Sequence, residues 1–153
     1  MNESFSLDSI YQEILMDHSS SPRNFEKLEK CDIQAEGFNP LCGDQVTLQI
    51  VLDSRKKEIK EIKFQGEGCS ICMASSSMMT ESLQNKSLSE SLKIIEDFRG
   101  LMQDKVSADV FENEDLTSLS GVKRFPVRIK CALLPWTTLS EPIKNQIKKG
   151  ENS

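Results

Sequence analysis

The chain has little of what a nucleic-acid-binding or membrane protein needs. Its 19 basic residues are outnumbered by 24 acidic ones, and the formal net charge of −5 argues against a nucleic-acid partner. No apolar run approaches the ~20 residues that a membrane span requires. The N-terminus has no basic segment followed by an apolar one, so no signal peptide is predicted. We therefore expect a cytoplasmic protein that binds neither nucleic acid nor a membrane.

Histidine, the commonest metal-binding side chain, occurs only once, as His18. Because His18 follows a helical pattern and precedes a serine-proline turn, we expect a surface position or a role at the helix C-terminus rather than metal binding. Cysteine, in contrast, occurs five times. An odd number of cysteines in a reducing compartment favours metal binding or thiol chemistry over disulfide bonds.

The hydrophobic pattern predicts an α+β fold. Helical spacing of apolar residues begins at Leu7 and ends before Pro22. Alternation of apolar and polar residues predicts a strand over 46–52, with others near 33–35 and over 58–65. Together these strands indicate a small antiparallel three-stranded sheet with helices packed on one face. At 153 residues, the whole chain, 1–153, is predicted to form a single domain.

Three helices are predicted after the sheet. One opens at about Cys69, and a second begins with Ser87 and Glu90, which read as a capping box. Apolar residues over 133–147 indicate the last helix, which tolerates Pro135 only if that proline lies in its first turn. The intervening residues 104–123 are acidic and irregular, with one short helical turn predicted. Within them, the acidic stretch from Glu112 to Asp115 is typical of a solvated loop.

Candidate chemistry is concentrated in four side chains. Cys42-Gly43-Asp44 places two potential metal ligands across a glycine, where the backbone can bend toward an ion. Cys69 lies at a predicted helix N-terminus, whose dipole favours the thiolate, and Cys131 lies near the start of the last predicted helix. Three thiolates and one carboxylate are enough to close a tetrahedral zinc shell.

The other two cysteines are weaker candidates. Cys72 forms a Cys-x2-Cys pair with Cys69, and spacing alone ranks it above Cys131 as a partner for Cys69. Its position among apolar residues nevertheless favours a packed core thiol. Cys31, at the start of a predicted strand, is expected to be buried as a small apolar residue. Spacing therefore leaves the ligand set open.

Four motifs, in order along the chain, resemble those of the U-type iron–sulfur cluster assembly proteins (the NifU N-terminal/IscU-like family). Scaffold members of that family carry a histidine before the third cysteine, where this chain has Lys130. The 61 residues between Cys69 and Cys131 leave room for an insertion at about 104–123. Both features point to the SufU branch and a SufU/IscU-like fold. The motifs are Tyr11-x3-Leu15-x2-His18-x3-Pro22-Arg23-Asn24, Asn39-Pro40-x-Cys42-Gly43-Asp44, Gly66-x-Gly68-Cys69-x-Ile71-x2-Ala74-Ser75 and Arg128-Ile129-Lys130-Cys131.

The resemblance implies a zinc site formed by Cys42, Asp44, Cys69 and Cys131. It also implies a zinc-dependent sulfur acceptor, sulfurtransferase-like in its chemistry. Such a protein takes persulfide sulfur from a pyridoxal-phosphate-dependent, SufS-like cysteine desulfurase and passes it toward downstream iron–sulfur assembly proteins. Cys42 is the expected sulfur acceptor, because Gly43 makes its loop the most mobile of the three that carry thiols.

The predicted shell has excess negative charge, and nearby cations should stabilise it. Arg124, Arg128 and Lys130 are predicted to supply that charge or to dock the partner. Two alternatives remain open. The same ligands could hold iron or a transient [2Fe–2S] cluster on an assembly scaffold. Zinc could instead be structural in a domain that only regulates its partner, although structural zinc sites prefer Cys and His to a carboxylate such as Asp44.

Overall fold

A computed structural model describes residues 3–151, with side chains from residue 9 onward. The first two and last two residues of the predicted domain lie outside that range. The strands form one sheet in the order β1-β2-β3 with both neighbouring pairs antiparallel, which confirms the predicted α+β fold. The elements are α1 (Glu3–Ser20), β1 (Ile33–Asn39), β2 (Asp44–Leu52), β3 (Ile59–Glu67), α2 (Ser70–Leu83), α3 (Leu88–Met102), two 3₁₀ segments (Ala108–Val110 and Glu114–Arg124) and α4 (Pro126–Glu151).

The apolar face of the sheet forms one side of the core. Val46, Leu48 and Ile50 of β2 are completely buried, as are Ile62 and Phe64 of β3. Helices α2 and α4 pack against this face. Each buried side chain of this size contributes roughly 1.5–3 kcal/mol from lost apolar hydration, so the alternation read from the sequence accounts for which face the helices cover.

Helix α2 is buried on almost all sides, because it lies between α1, α4 and the sheet. Its serines at 75, 76 and 77 are small enough to let neighbouring backbones approach, and all three are fully buried. The Ser75 hydroxyl donates to the Ala132 carbonyl at 2.6 Å and accepts from the Trp136 indole at 2.8 Å. These bonds fix α4, and hence Cys131, relative to α2.

The capping box predicted for α3 is confirmed. The Ser87 side chain accepts a hydrogen bond from the Glu90 amide, and the Glu90 carboxylate accepts one from the Ser87 amide. Two amides that helix geometry leaves without partners are thereby satisfied. The cap sets where α3 begins and so where the chain turns back toward α4.

The prediction of an irregular segment with one short helical turn over 104–123 understates its helical content. Residues Glu114–Arg124 form a 3₁₀ segment in which Leu116, Leu119 and Val122 are buried. These three apolar residues recur every third position, which is the period of a 3₁₀ helix. The residues between them are small or polar: Thr117, Ser118, Ser120 and Gly121. The segment packs against α1 and α4.

Helix α4 also differs from its prediction. It begins at Pro126, where a proline loses no helical hydrogen bond, so Cys131 lies in its second turn and Pro135 well inside the helix. Pro135 is buried and has no amide to donate to the Cys131 carbonyl. Packing against the sheet, α2 and α3 offsets that loss. Within residues 3–151, no helix is long and apolar enough to cross a bilayer.

Candidate metal and thiol site

Three elements bring the predicted ligands to one end of the sheet. The turn between β1 and β2 carries Cys42, β2 begins at Asp44, and α4 carries Cys131. The Cys131 thiol donates to the Cys42 sulfur with the two Sγ atoms 3.0 Å apart, well beyond the ~2.05 Å of a disulfide bond. The ligand atoms of these three side chains all lie within 4.8 Å of one another. Cys131, which is 87 positions from Asp44 and 89 from Cys42 in the sequence, thus shares one small volume with them.

Asp44 is fully buried and is held from two sides. Its Oδ1 atom accepts a 2.8 Å hydrogen bond from the Cys69 backbone amide, and its Oδ2 atom lies 3.4 Å from the Asn39 side-chain nitrogen. A Cβ atom placed on Gly68 would lie 2.5 Å from Oδ1. The absence of a side chain at Gly68 therefore lets the carboxylate approach the start of α2.

Cys69 is the N-cap of α2, as its sequence position predicted. Its sulfur accepts a hydrogen bond from the Cys72 amide at 3.5 Å. The sulfur lies outside the group of three ligand atoms that share the 4.8 Å volume, but it interacts with the Cys131 thiol. Cys69 thus stands beside the cluster, with its side chain half-buried.

The protonation of Cys131 follows from its surroundings. Burial raises the pKa of the Cys131 thiol well above its ordinary value, and its interactions with Cys42, Asp44 and Cys69 raise it further. Without a cation, this thiol therefore keeps its proton at neutral pH. Two thiols, a carboxylate and a third thiol beside them are a donor set that suits zinc or iron, so the side chains present fit such an ion.

Of the three predicted cationic side chains, Arg128 is the one that reaches the thiols. The charge of a Cys69 thiolate, and hydrogen bonds to Cys69 and Cys131, raise the pKa of Arg128. Arg124 is exposed and donates from Nε to the Gly121 carbonyl at 3.4 Å. Lys130 is exposed, and its side chain forms no ion pair with the described part of the chain.

An open cavity of about 600 Å³ lies beside the thiols, at the start of α4. Arg124 and Arg128 line it together with Ser70 and the exposed apolar side chains Phe125 and Val127. The site is therefore reached from a surface that is both apolar and cationic.

Asn39 is a site residue to which the sequence assigned no role. Its side-chain nitrogen lies 3.4 Å from Asp44 Oδ2 and 3.7 Å from the Cys131 sulfur, and the residue is buried at the end of β1, paired with Asp44. The only signal was its place in the Asn39-Pro40-x-Cys42 motif. Its amide contacts one predicted ligand on each side.

The remaining sulfur atoms lie away from the cluster. Cys72 is fully buried in the core, as expected, and burial raises the pKa of its thiol strongly. Cys31 is only half-buried and lies against Gln34 and Gln49, so the prediction of a buried Cys31 is wrong. It precedes β1 and does not reach the inner face of the sheet.

Of the two positions predicted for His18, the helix C-terminus is confirmed and the surface position is wrong. It lies in the last turn of α1, as proposed, but its side chain is 1% exposed. Its Nδ1 atom lies 2.8 Å from Ser77 Oγ and its Nε2 atom 2.8 Å from Asp115 Oδ2. The acidic segment that was expected to be a loop supplies the second partner and covers the ring.

Comparisons of the sequence with known proteins give consistent matches. The family model described as NifU-like N terminal domain matches residues 10–144. The chain is 38% identical over 146 residues to the zinc-dependent sulfurtransferase SufU of Bacillus subtilis. That alignment covers 95% of this chain and 97% of SufU. It is also 35% identical over 156 residues to the iron–sulfur cluster assembly scaffold protein IscU of Streptococcus pyogenes. That alignment covers 95% of this chain and 96% of IscU.

Solved structures show the same architecture. The crystal structure of FiSufU from Fervidobacterium islandicum matches with a TM-score of 0.79 at 35% identity, over 87% of this chain and 96% of that one. The N-terminal part of a NifU-like protein from Brucella abortus has the same TM-score at 19% identity, over 94% and 97% of the two chains. At that identity the second match supports the fold alone.

Proposed function

Because the chain belongs to the family of NifU-like N-terminal domains, as its motifs predicted, we propose that it is a zinc-dependent sulfur acceptor of iron–sulfur cluster assembly. It takes persulfide sulfur from a pyridoxal-phosphate-dependent cysteine desulfurase and passes it to downstream assembly proteins. The observation that carries this proposal is the contact between the half-buried Cys42 thiol and the buried Cys131 thiol at 3.0 Å. The SufU relative adds support from sequence.

Cys42, Asp44, Cys69 and Cys131 are the residues that would hold the ion. Bound zinc supplies the positive charge that keeps cysteine thiols deprotonated at neutral pH. That charge matters most at Cys131, whose pKa is raised by burial. Asp44 is the least thiophilic of the four ligands, and its carboxylate is already engaged by the Cys69 amide. A shell with one hard ligand exchanges a ligand more easily than four thiolates would.

Cys42 is the sulfur acceptor in this proposal. Cys131 is completely buried, and the Cys69 sulfur is held at the α2 N-terminus by the Cys72 amide. Cys42 instead lies in a turn next to Gly43. Gly43 has a φ of +69°, a left-handed backbone conformation that few residues other than glycine adopt without strain.

The transfer itself is a thiol–persulfide exchange. The Cys42 thiolate attacks the outer sulfur of the desulfurase persulfide, a new S–S bond forms at Cys42, and the original S–S bond breaks. The desulfurase cysteine leaves as a thiolate, so no electron is gained or lost overall. Arg128, whose guanidinium hydrogen-bonds to Cys69 and Cys131, balances negative charge beside the thiol that pairs with Cys42.

The surface around the thiols suits a protein partner. Phe38 and Leu41 are 65% and 68% exposed near Cys42, while Phe125 and Val127 are 58% and 57% exposed near Cys131. Exposed apolar side chains grouped around a reactive group are typical of a docking site. In the proposal, the desulfurase covers them and brings its persulfide to Cys42.

The second candidate function is an assembly scaffold on which the same ligands hold a [2Fe–2S] cluster. Its support is the IscU relative, which is nearly as similar as SufU and covers as much of the chain. Lys130 favours sulfur transfer, because scaffold members of the resembled family carry a histidine there. A third candidate is a structural zinc site in a protein that only regulates its partner. The carboxylate of Asp44 disfavours it, because structural zinc sites prefer Cys and His ligands.

A combined measurement distinguishes these functions. The purified protein is assayed for zinc, iron and sulfide, and is then incubated with a cysteine desulfurase and cysteine before its intact mass is recorded. We expect one zinc per chain and the mass of one or more added sulfur atoms, which a reductant removes. Sulfide-bearing iron that transfers as an intact cluster would establish the scaffold, and faster desulfurase turnover without added sulfur would establish the regulator.

Gly68→Ala is expected to weaken zinc binding. The new methyl group would lie 2.5 Å from Asp44 Oδ1, so the carboxylate must move and lose its bond from the Cys69 amide. We expect zinc affinity to fall by about tenfold to a hundredfold, the range seen when groups that orient metal ligands are changed. Competition with a chromophoric chelator measures it. Gly121→Ala is the control, because its methyl group would make only an ordinary 3.7 Å contact; equal affinities for both variants would contradict the prediction.

A further inference from the structure

A second group of metal-binding side chains lies away from the thiols. It consists of His18 from α1, Glu81 from α2 and Asp115 from the second 3₁₀ segment, and their ligand atoms all lie within 4.8 Å of one another. His18 Nε2 is 2.8 Å from Asp115 Oδ2 and 3.8 Å from Glu81 Oε1. Three elements that are distant in sequence thus direct one nitrogen and two oxygens at the same point.

The separations suit a shared cation. Two nitrogen or oxygen ligands that are each ~2.1 Å from one ion lie about 3.0 Å apart at a right angle and about 3.4 Å apart at the tetrahedral angle. The observed 2.8 Å and 3.8 Å for the His18 pairs bracket those values. Shifts of a few tenths of an ångström in the carboxylates, which are 42% and 41% exposed, would place all three ligands on one ion.

The ring of His18 is already oriented as a ligand would be. It is 1% exposed, and its Nδ1 atom lies 2.8 Å from Ser77 Oγ. A hydroxyl can accept a hydrogen bond from Nδ1–H. In that tautomer Nε2 carries no proton, and an ion would take the place of the proton between Nε2 and Asp115 Oδ2. The Arg23 amide also donates to Ser77 Oγ, at 2.8 Å, and so fixes the hydroxyl. Metal-binding histidines almost always have such a partner on the second ring nitrogen.

The charges around the group also favour a cation. The nearby basic side chains form their ion pairs elsewhere, Arg23 with Asp17 and Lys86 with Glu112. Arg23 supplies one positive charge close enough to interact with Glu81 and Asp115, which the two carboxylates outnumber. Among the described residues, His18 is the sole ion-pair partner of Glu81 and of Asp115. Both carboxylates border an open cavity of about 610 Å³, which has room for the water molecules that complete the coordination of a small divalent ion.

We propose that His18, Glu81 and Asp115 form a second divalent-cation site, harder than the thiol site, that takes a first-row ion such as Mn²⁺ or Fe²⁺. One imidazole with two carboxylates suits these ions better than the thiolate-rich set does. The ion would join α1 and α2 to the segment Glu114–Arg124, so binding at this site also holds that segment against the rest of the protein. The inference is independent of the sulfur-acceptor function.

The test uses Mn²⁺ as the probe and the full chain loaded with zinc, which fills the thiol site. Electron paramagnetic resonance of free Mn²⁺ measures binding in the wild type, in Glu81→Gln and in Asp115→Asn. We expect saturable binding of one ion per chain, weakened on the order of tenfold or more by either substitution. Both positions are substantially exposed, so the variants are expected to fold, which circular dichroism checks.

Two matched variants locate the ion. Glu112→Gln removes a carboxylate that lines the same cavity but pairs with Lys86 at 2.9 Å, and it is expected to bind Mn²⁺ like the wild type. Cys42→Ala is likewise expected to leave Mn²⁺ binding unchanged, which separates this site from the thiol site. No saturable Mn²⁺ binding, or wild-type affinity in Glu81→Gln, would overturn the proposal.

Discussion

Cys42→Ala is expected to abolish persulfide formation on this protein when it is incubated with a cysteine desulfurase and cysteine. The thiol that is removed is the reachable member of the 3.0 Å pair with Cys131, whereas Cys131 and Cys72 are completely buried. Intact mass, followed by mapping of the modified peptide, measures the result. The wild type is expected to carry the added sulfur on the peptide that contains Cys42.

Cys31→Ala is the matched control for this prediction. Cys31 is also half-buried, but it lies against Gln34 and Gln49 and outside the cluster. We expect Cys31→Ala to accept sulfur like the wild type. The comparison with Cys69→Ala decides the assignment, because Cys69 is the other half-buried thiol beside the cluster. If Cys42→Ala and Cys69→Ala both accept sulfur in full, Cys42 is not the acceptor.

Trp136→Ala is expected to lower the free energy of unfolding by about 3–5 kcal/mol, the usual cost of truncating a large buried aromatic side chain. Trp136 is completely buried and stacks on Phe98 with ring centroids 4.2 Å apart. Its indole donates to Ser75 Oγ at 2.8 Å. Since domains are stable by only about 5–15 kcal/mol, the loss is a large part of the total. Urea unfolding measures it through the transition midpoint.

Trp136→Phe separates packing from hydrogen bonding. Phenylalanine keeps an aromatic ring against Phe98 but gives up the bond to Ser75, so a smaller loss, about 1–3 kcal/mol, is expected. An equal loss in the two variants would show that the ring contact contributes little. Because Ser75 also donates to the Ala132 carbonyl, next to Cys131, the alanine variant is further expected to weaken zinc binding.

The sheet and α3 were predictable because local patterns determine them. Every second residue of β2 from Val46 to Leu52 is apolar, and burial of one sheet face requires that alternation. Ser87 and Glu90 satisfy each other's amides without help from the rest of the fold. The length of the segment Glu114–Arg124 was underestimated as one short helical turn, although its apolar residues recur every third position. Short 3₁₀ segments depend on the surface that they cover.

Local sequence patterns alone do not identify the predicted metal ligands, as the choice between Cys72 and Cys131 shows. Spacing ranked Cys72 higher, and the family resemblance ranked Cys131 higher. In the structure, Cys72 is one turn into α2 and points into the core, while α4 brings Cys131 to within 3.0 Å of Cys42. The sequence around Cys131 does not report where α4 packs, because the nearby Trp136 meets Ser75 of α2, 61 positions away, and the helix also packs on the sheet.

The α+β class, the starts of α2 and α3 and the membership of the family follow from the sequence, since they rest on periodicity, caps and motifs that are local in the chain. Which side chains meet depends on the packing of distant elements. Asn39 reaches Asp44 and Cys131, and His18 meets Asp115, 97 positions away. Such contacts are set by how helices pack on the sheet, a balance of burial across the whole core that no single segment contains.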